Sequence, residues 1–122
     1  MTDQDRCIAA PVTPYKTKDG SEIREFWHPD HQGHTGLSLA QATVAAGTGT
    51  RRHRHRQTEE VYHIQSGKGV MERGLERFAI HAGDTIGIAP GVAHRVFADQ
   101  DAALVILCCC VPPYRHDDTE IL

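Results

Sequence analysis

Glycine-centred turn signals divide this chain so finely that little besides short strands fits between them. Lys18-Asp19-Gly20, Ala46-Gly47, Ser66-Gly67, Arg73-Gly74, Ala82-Gly83-Asp84 and Pro90-Gly91 punctuate the sequence. Each reads as a turn for a physical reason: glycine reaches positive φ without steric cost, and Asp and Ser side chains bond nearby backbone. The pieces between are rich in Val, Ile, Thr, Tyr and Phe, and few windows carry an apolar period of 3.6. That pattern belongs to an all-β sandwich or barrel. The expected strands are Ile23–Trp27, Leu37–Ala45, Arg51–Arg56, Val61–Gln65, Gly69–Glu72, Glu76–Ile80, Thr85–Ile88, Ala93–Ala98 and Leu104–Val111. A chain of 122 residues suits one domain with one modest core, and no repeat or linker interrupts it. The first dozen residues and the tail after Pro113 are expected to lie outside the barrel.

Charge and cysteine usage narrow the function classes. Lys+Arg 13 against Asp+Glu 16 gives a net charge of −3, the wrong sign for a dedicated nucleic-acid binder. The longest apolar run, Ala102–Val111, is ten residues, half of what a membrane helix needs. The adjacent Cys108, Cys109 and Cys110 make a poor disulfide framework, and Cys7 stands apart. With the polar start MTDQDR showing no secretory signal, a soluble cytoplasmic protein is expected.

The stretch RRHRHRQTEE, Arg51 to Glu60, permits two readings: a basic patch or a metal site. On a strand, alternate side chains point to opposite faces. His53 and His55 then share one face, with Arg52, Arg54 and Arg56 on the other. Guanidinium groups belong in water, so the histidines face the lumen and the arginines form a solvated outer stripe. Paired lumen histidines followed closely by Glu59 and Glu60 point toward a metal, against the plainer reading of hydrogen-bonded core histidines.

The spacing around these residues resembles the cupin family. Gly47, TGTRR, His53-Arg54-His55, RQTE, Glu60, VYHIQS, Gly67 fits the first cupin motif at every position. Gly83, DTIGI, Ala89-Pro90-Gly91, VA, His94, RVF, Ala98 resembles the second, with Ala89 in place of the usual proline and Ala98 in place of asparagine. The resemblance implies a double-stranded β-helix (jelly-roll) barrel, like small single-domain bacterial cupins. The single domain would span residues 1–122, with an N-terminal strand region 1–36, motifs at Gly47–Gly67 and Gly83–Ala98, and a C-terminal tail 112–122. It also implies the metal ligands His53, His55, Glu60 and His94. Glu59 is the rival carboxylate, although the position of Gly67 favours Glu60. His63 is out of phase with Tyr62 and is expected to point outward. His28, His31, His34, His81 and His116 are expected to face solvent, and Trp27, Phe78 and Phe97 to be core residues.

A nitrogen-rich site of this kind suits one divalent transition metal per chain (Fe, Mn, Ni or Zn) better than Mg or Ca. Tyr62 shares the strand face of Glu60 and is the candidate general acid/base; a tyrosine packed in the core is the competing reading. Likeness to small cupins places Leu107, Cys109 and Val111 inward, with Cys109 near the metal. The function expected is a metal-dependent enzyme on a small polar organic substrate, as a dioxygenase-type oxidoreductase or an isomerase/lyase. The alternative is a non-catalytic cupin holding a sugar or organic acid. A homodimer is expected, built by lending Glu22–Trp27 to a partner's sheet, with no nucleic-acid or membrane partner.

Overall fold

The computed structural model describes residues 13–32 and 36–122; the expectations for the first dozen residues, Cys7 and His34 lie outside them. The strands are β1 (Tyr15–Lys16), β2 (Glu22–Trp27), β3 (Ser38–Val44), β4 (His53–His55), β5 (Glu59–Ser66), β6 (Lys68–Arg73), β7 (Glu76–His81), β8 (Thr85–Ile88), β9 (His94–Ala98), β10 (Leu104–Val111) and β11 (Thr119–Ile121). Two antiparallel sheets face each other, in the orders β1-β2-β3-β10-β5-β8 and β11-β4-β9-β6-β7. The jelly-roll expectation holds, and the turns fall where the glycines stand. At Gly67 the backbone is left-handed (φ 84°), and an added Cβ would meet the Ala103 carbonyl oxygen at 2.2 Å. Only glycine closes β5 onto β6 there.

Alternation along each strand gives the lumen two chemically different ends. On β5, Glu60, Tyr62 and Ile64 point inward, and on β9, His94, Val96 and Ala98 do so. One end is therefore filled by Ile64, Met71, Ile80, Val96, Leu104 and Ile106, each at most 2% exposed. Burying each such side chain contributes roughly 1.5–3 kcal/mol, and this apolar plug stabilises a barrel whose other end is polar.

Several expectations are corrected. The tail does not lie outside the barrel: β11 pairs antiparallel with β4, Thr119 opposite His55 and Ile121 opposite His53. Nearby backbone bonds, Arg56 N–H to Asp118 O and Leu122 N–H to Arg52 O, extend that pairing. The strand β1 was not anticipated either; it pairs with β2. The strand β2 itself pairs with β3 of its own chain, so the segment expected to cross to a partner is already used. On β10 the inward set is Leu104, Ile106, Cys108 and Cys110, the opposite of the expected Leu107, Cys109 and Val111. His28 is buried at 4% exposure with its Nε2 2.8 Å from the Tyr114 carbonyl, not solvent-facing. His31, His81 and His116 are exposed as expected.

The arginine stripe is on the outside. Arg54 and Arg56 both reach Glu120 on β11, at 3.2 and 3.4 Å. Such solvated pairs add little stability, but they occupy two of the four guanidinium groups that suggested a nucleic-acid patch. Trp27, Phe78 and Phe97 are half-buried, and Phe97 lies beneath Arg95 at 4.8 Å from its ring centre. No helix among the described residues is long and apolar enough to cross a membrane.

Candidate metal centre

Three buried histidines converge at the polar end of the lumen. His53 and His55 arrive from β4, and His94 from β9, directly opposite His53 in the register. Ligand atoms of the three all lie within 4.8 Å of one another. Glu60 follows on β5, 5% exposed, with Oε1 3.2 Å from His55 Nε2 and 3.6 Å from His94 Nε2. Its rival Glu59 is exposed on the other face of the strand. His63 also faces away, its Nδ1 2.8 Å from Thr85 Oγ1 on the barrel's exterior.

The hydrogen bonds on the far side of each ring fix its tautomer. His53 Nδ1 lies 2.8 Å from Arg51 O and His94 Nδ1 2.9 Å from Val92 O. A carbonyl only accepts, so each Nδ1 carries the proton. His55 Nδ1 lies 3.0 Å from Thr119 Oγ1, whose own hydroxyl donates to Arg115 O at 2.9 Å. That leaves Thr119 Oγ1 as an acceptor and His55 Nδ1 as its donor. All three Nε2 atoms therefore present lone pairs to one another and to a carboxylate.

Acceptors facing acceptors in a buried site repel unless a cation lies among them. Glu60 Oε1 and His94 Nε2 are buried and make no hydrogen bond, a costly arrangement when nothing compensates it. Burial opposes the charge of Glu60, and only positive charge on the His55 and His94 side, where a cation would sit, holds the carboxyl well below the usual range. Burial, then the neighbouring His94, pushes His53 down toward the neutral form that binds metals. The donor set fits a divalent transition metal: three imidazole nitrogens, one carboxylate, and outer hydrogen bonds that aim each ring.

Several groups at this site were not legible beforehand. Cys110, not Cys109, stands at the centre, its thiol donating to Glu60 Oε2 at 3.2 Å. Burial and then the Glu60 charge push the Cys110 thiol up, so it stays an S–H donor and not a thiolate ligand. Thr119 and Tyr114 come from the tail, the Tyr114 ring standing edge-on to His55 at 5.7 Å. A cavity opens beside the histidines, with Tyr62, Cys108, Cys110 and Tyr114 on one side. Alternate residues of the β1–β2 hairpin, from Tyr15 through Asp19 to Glu25, form another wall. That every-other-residue pattern was the available signal, but it is invisible without knowing that Tyr15 and Lys16 pair as a strand.

Because Thr119 aims His55, replacing it should be felt at the ion. Thr119→Val keeps shape but removes the acceptor for His55 Nδ1, and metal affinity should fall about 10–100-fold. Competition against a chromophoric chelator measures this; unchanged affinity would show that β4 alone orients His55.

The family profile described as Cupin domain matches residues 40–110. An uncharacterized protein of Methanocaldococcus jannaschii is 46% identical over 111 residues, covering 91% of this chain and 89% of that protein. Among solved structures, Streptomyces Pac13, described as a nucleoside dehydratase, superimposes with TM-score 0.77 at 14% identity, over 96% of this chain and 89% of that one. A predicted oxalate decarboxylase from Thermotoga maritima gives TM-score 0.74 at 19% identity, over 88% and 98%. At such identities the two structures speak for the shared fold.

Proposed function

The chain belongs to the cupin family, and on that premise we propose that it is a metal-dependent enzyme acting on a small polar organic molecule. The observation that carries the reading is the convergence of three buried histidines with Glu60 Oε1 beside His55 and His94, Glu60 Oε1 and His94 Nε2 being buried without a hydrogen bond, next to a cavity. His53, His55, Glu60 and His94 would hold one divalent ion of the Fe, Mn, Ni or Zn kind. Such an ion would supply Lewis acidity toward a substrate oxygen.

Around it, Tyr62 lines the cavity with its ring edge-on to His94 at 5.8 Å. Burial, and then the Glu60 charge, push its phenol well above its ordinary value. Tyr62 therefore keeps its proton and is a hydrogen-bond donor toward a leaving or polarised oxygen. The cavity wall also carries the free thiols of Cys108 and Cys110. Thiols beside an oxygen-activating iron are prone to oxidation, which favours the isomerase/lyase class over the dioxygenase class. Of the structures that share the fold, one is described as a nucleoside dehydratase and one as a predicted oxalate decarboxylase, both names for lyase-type reactions.

The test is turnover of a panel of small hydroxylated and carboxylated compounds by Mn(II)- and Zn(II)-loaded protein, with and without oxygen. Turnover that persists without oxygen is expected. Strict oxygen dependence would transfer the protein to the dioxygenase class. The Fe(II)-loaded protein should also bind nitric oxide; a metal closed to it would turn the reading to a non-catalytic, ligand-holding cupin.

A further inference from the structure

The β1–β2 turn brings a second carboxylate to the metal centre. Asp19 Oδ2 lies 3.7 Å from His53 Nε2, and the side chain is 13% exposed. We propose that Asp19 determines ligand charge, making the cavity select uncharged, hydroxyl-bearing molecules and reject anions such as carboxylates and phosphates. The proposal rests on the metal-centre reading above and names the substrate class of that site.

Asp19 is held rigidly by its own turn. Its Oδ1 accepts from Thr17 Oγ1 at 2.7 Å, Ser21 N at 2.9 Å and Ser21 Oγ at 2.6 Å. Gly20 takes φ 92° to close the turn, and Arg51 N donates to Asp19 O at 2.8 Å, tying the tip to the segment that leads into His53. Lys18, the nearest cation in sequence, reaches away to the His116 and Thr119 carbonyls. With Oδ1 committed to the turn, Oδ2 faces the metal-side nitrogen of His53 and makes no hydrogen bond among the described residues.

The charge balance then decides what can enter. A divalent ion on three neutral imidazoles and Glu60 keeps one positive charge, and Asp19 cancels it. The described residues lining the cavity include no Lys or Arg. The other hairpin carboxylate that lines the cavity, Glu25, faces His31 Nε2 at 3.4 Å and accepts weakly from Tyr15 at 3.5 Å. An anion would therefore meet no net attraction and would place a further negative charge beside Asp19, a strong penalty where the dielectric is low. A neutral hydroxyl compound meets instead the ion, the Asp19 oxygen as acceptor and the Tyr62 hydroxyl as donor.

The experiment compares wild type, Asp19→Asn and Asp19→Glu, each loaded with Co(II) and titrated with azide and with imidazole by visible spectroscopy. Asn retains the Oδ1 acceptor on which the turn depends, so the fold should persist, and full Co(II) uptake checks it. Azide should bind Asp19→Asn at least about tenfold more tightly than wild type, as removal of one close charge predicts. Neutral imidazole should change little, and Asp19→Glu should restore discrimination against azide. Cobalt uptake with equal azide affinity in wild type and Asp19→Asn would overturn this proposal alone. Absence of cobalt uptake by the wild type would overturn the metal reading and this proposal with it.

Discussion

Chelation should lower the melting temperature by roughly 10 °C, and His94→Ala should erase that difference. A ligand bound only by the folded state at a hundred times its dissociation constant stabilises by about 2.7 kcal/mol, and a domain this size moves a few degrees per kcal/mol. The metal-free site has a specific reason to be weak: His94 Nε2 and Glu60 Oε1 are buried 3.6 Å apart with neither hydrogen-bonded. Elemental analysis should find about one ion per chain in wild type, as a single site predicts. Changing His53, His55 or His94 to Ala should remove it. His63→Ala is the internal control, because its ring is engaged with Thr85 on the exterior. Full metal content in His94→Ala would sink the ligand assignment.

Tyr62→Phe should leave metal content and the metal-dependent melting shift intact while lowering turnover by about 10²–10⁴-fold, the usual weight of a positioned acid or base. The substitution removes one oxygen from a side chain whose ring packs against His94 and whose hydroxyl makes no hydrogen bond among the described residues. A structural tyrosine would give the opposite result: loss of the ring contacts matters and loss of the hydroxyl does not. The comparison should be made on kcat as well as kcat/KM, since a donor acting in the transition state lowers both together. Turnover within a few-fold of wild type would return Tyr62 to the role of a packed lumen residue.

The sequence was most informative where polarity alternates along a strand. In RRHRHR, charge on one parity and imidazole on the other leave only one sensible arrangement, because guanidinium groups belong in water. The same logic separates Tyr62 from His63, whereas Glu60 was favoured over Glu59 by its spacing to Gly67; the structure turns Glu60 and Tyr62 inward and leaves Glu59 and His63 outside. Glycine turns were legible for a related reason: positive φ is a local requirement, and residue type reports it directly.

Where neighbours are alike, parity says nothing. The strand Leu104–Val111 is apolar throughout, so the sequence offered no contrast between its two faces. Only the register decides: Cys110 lies opposite Glu60 and Cys108 opposite Tyr62, and residues directly opposite in an antiparallel pair point to the same side. Once Glu60 faces the lumen, Cys110 must follow. The remaining site residues depend on chain segments distant in sequence. Thr119 meets His55 through a backbone ladder between β11 and β4, to which side-chain type contributes no signal. His28 is buried because the Tyr114 carbonyl, 86 residues away, reaches it. Asp19 approaches His53 because a hairpin too short to stand out in sequence lines the cavity beside the histidines. Local polarity and glycine turns thus marked short strands and the shared face of His53 and His55 by themselves, while the jelly-roll barrel and the expected ligands, His94 among them, rested on the resemblance to cupins. The threonine that bonds His55, the thiol beside Glu60 and the carboxylate beside His53 were decided by tertiary pairing, because backbone hydrogen bonds join strands without regard to the side chains they bring together.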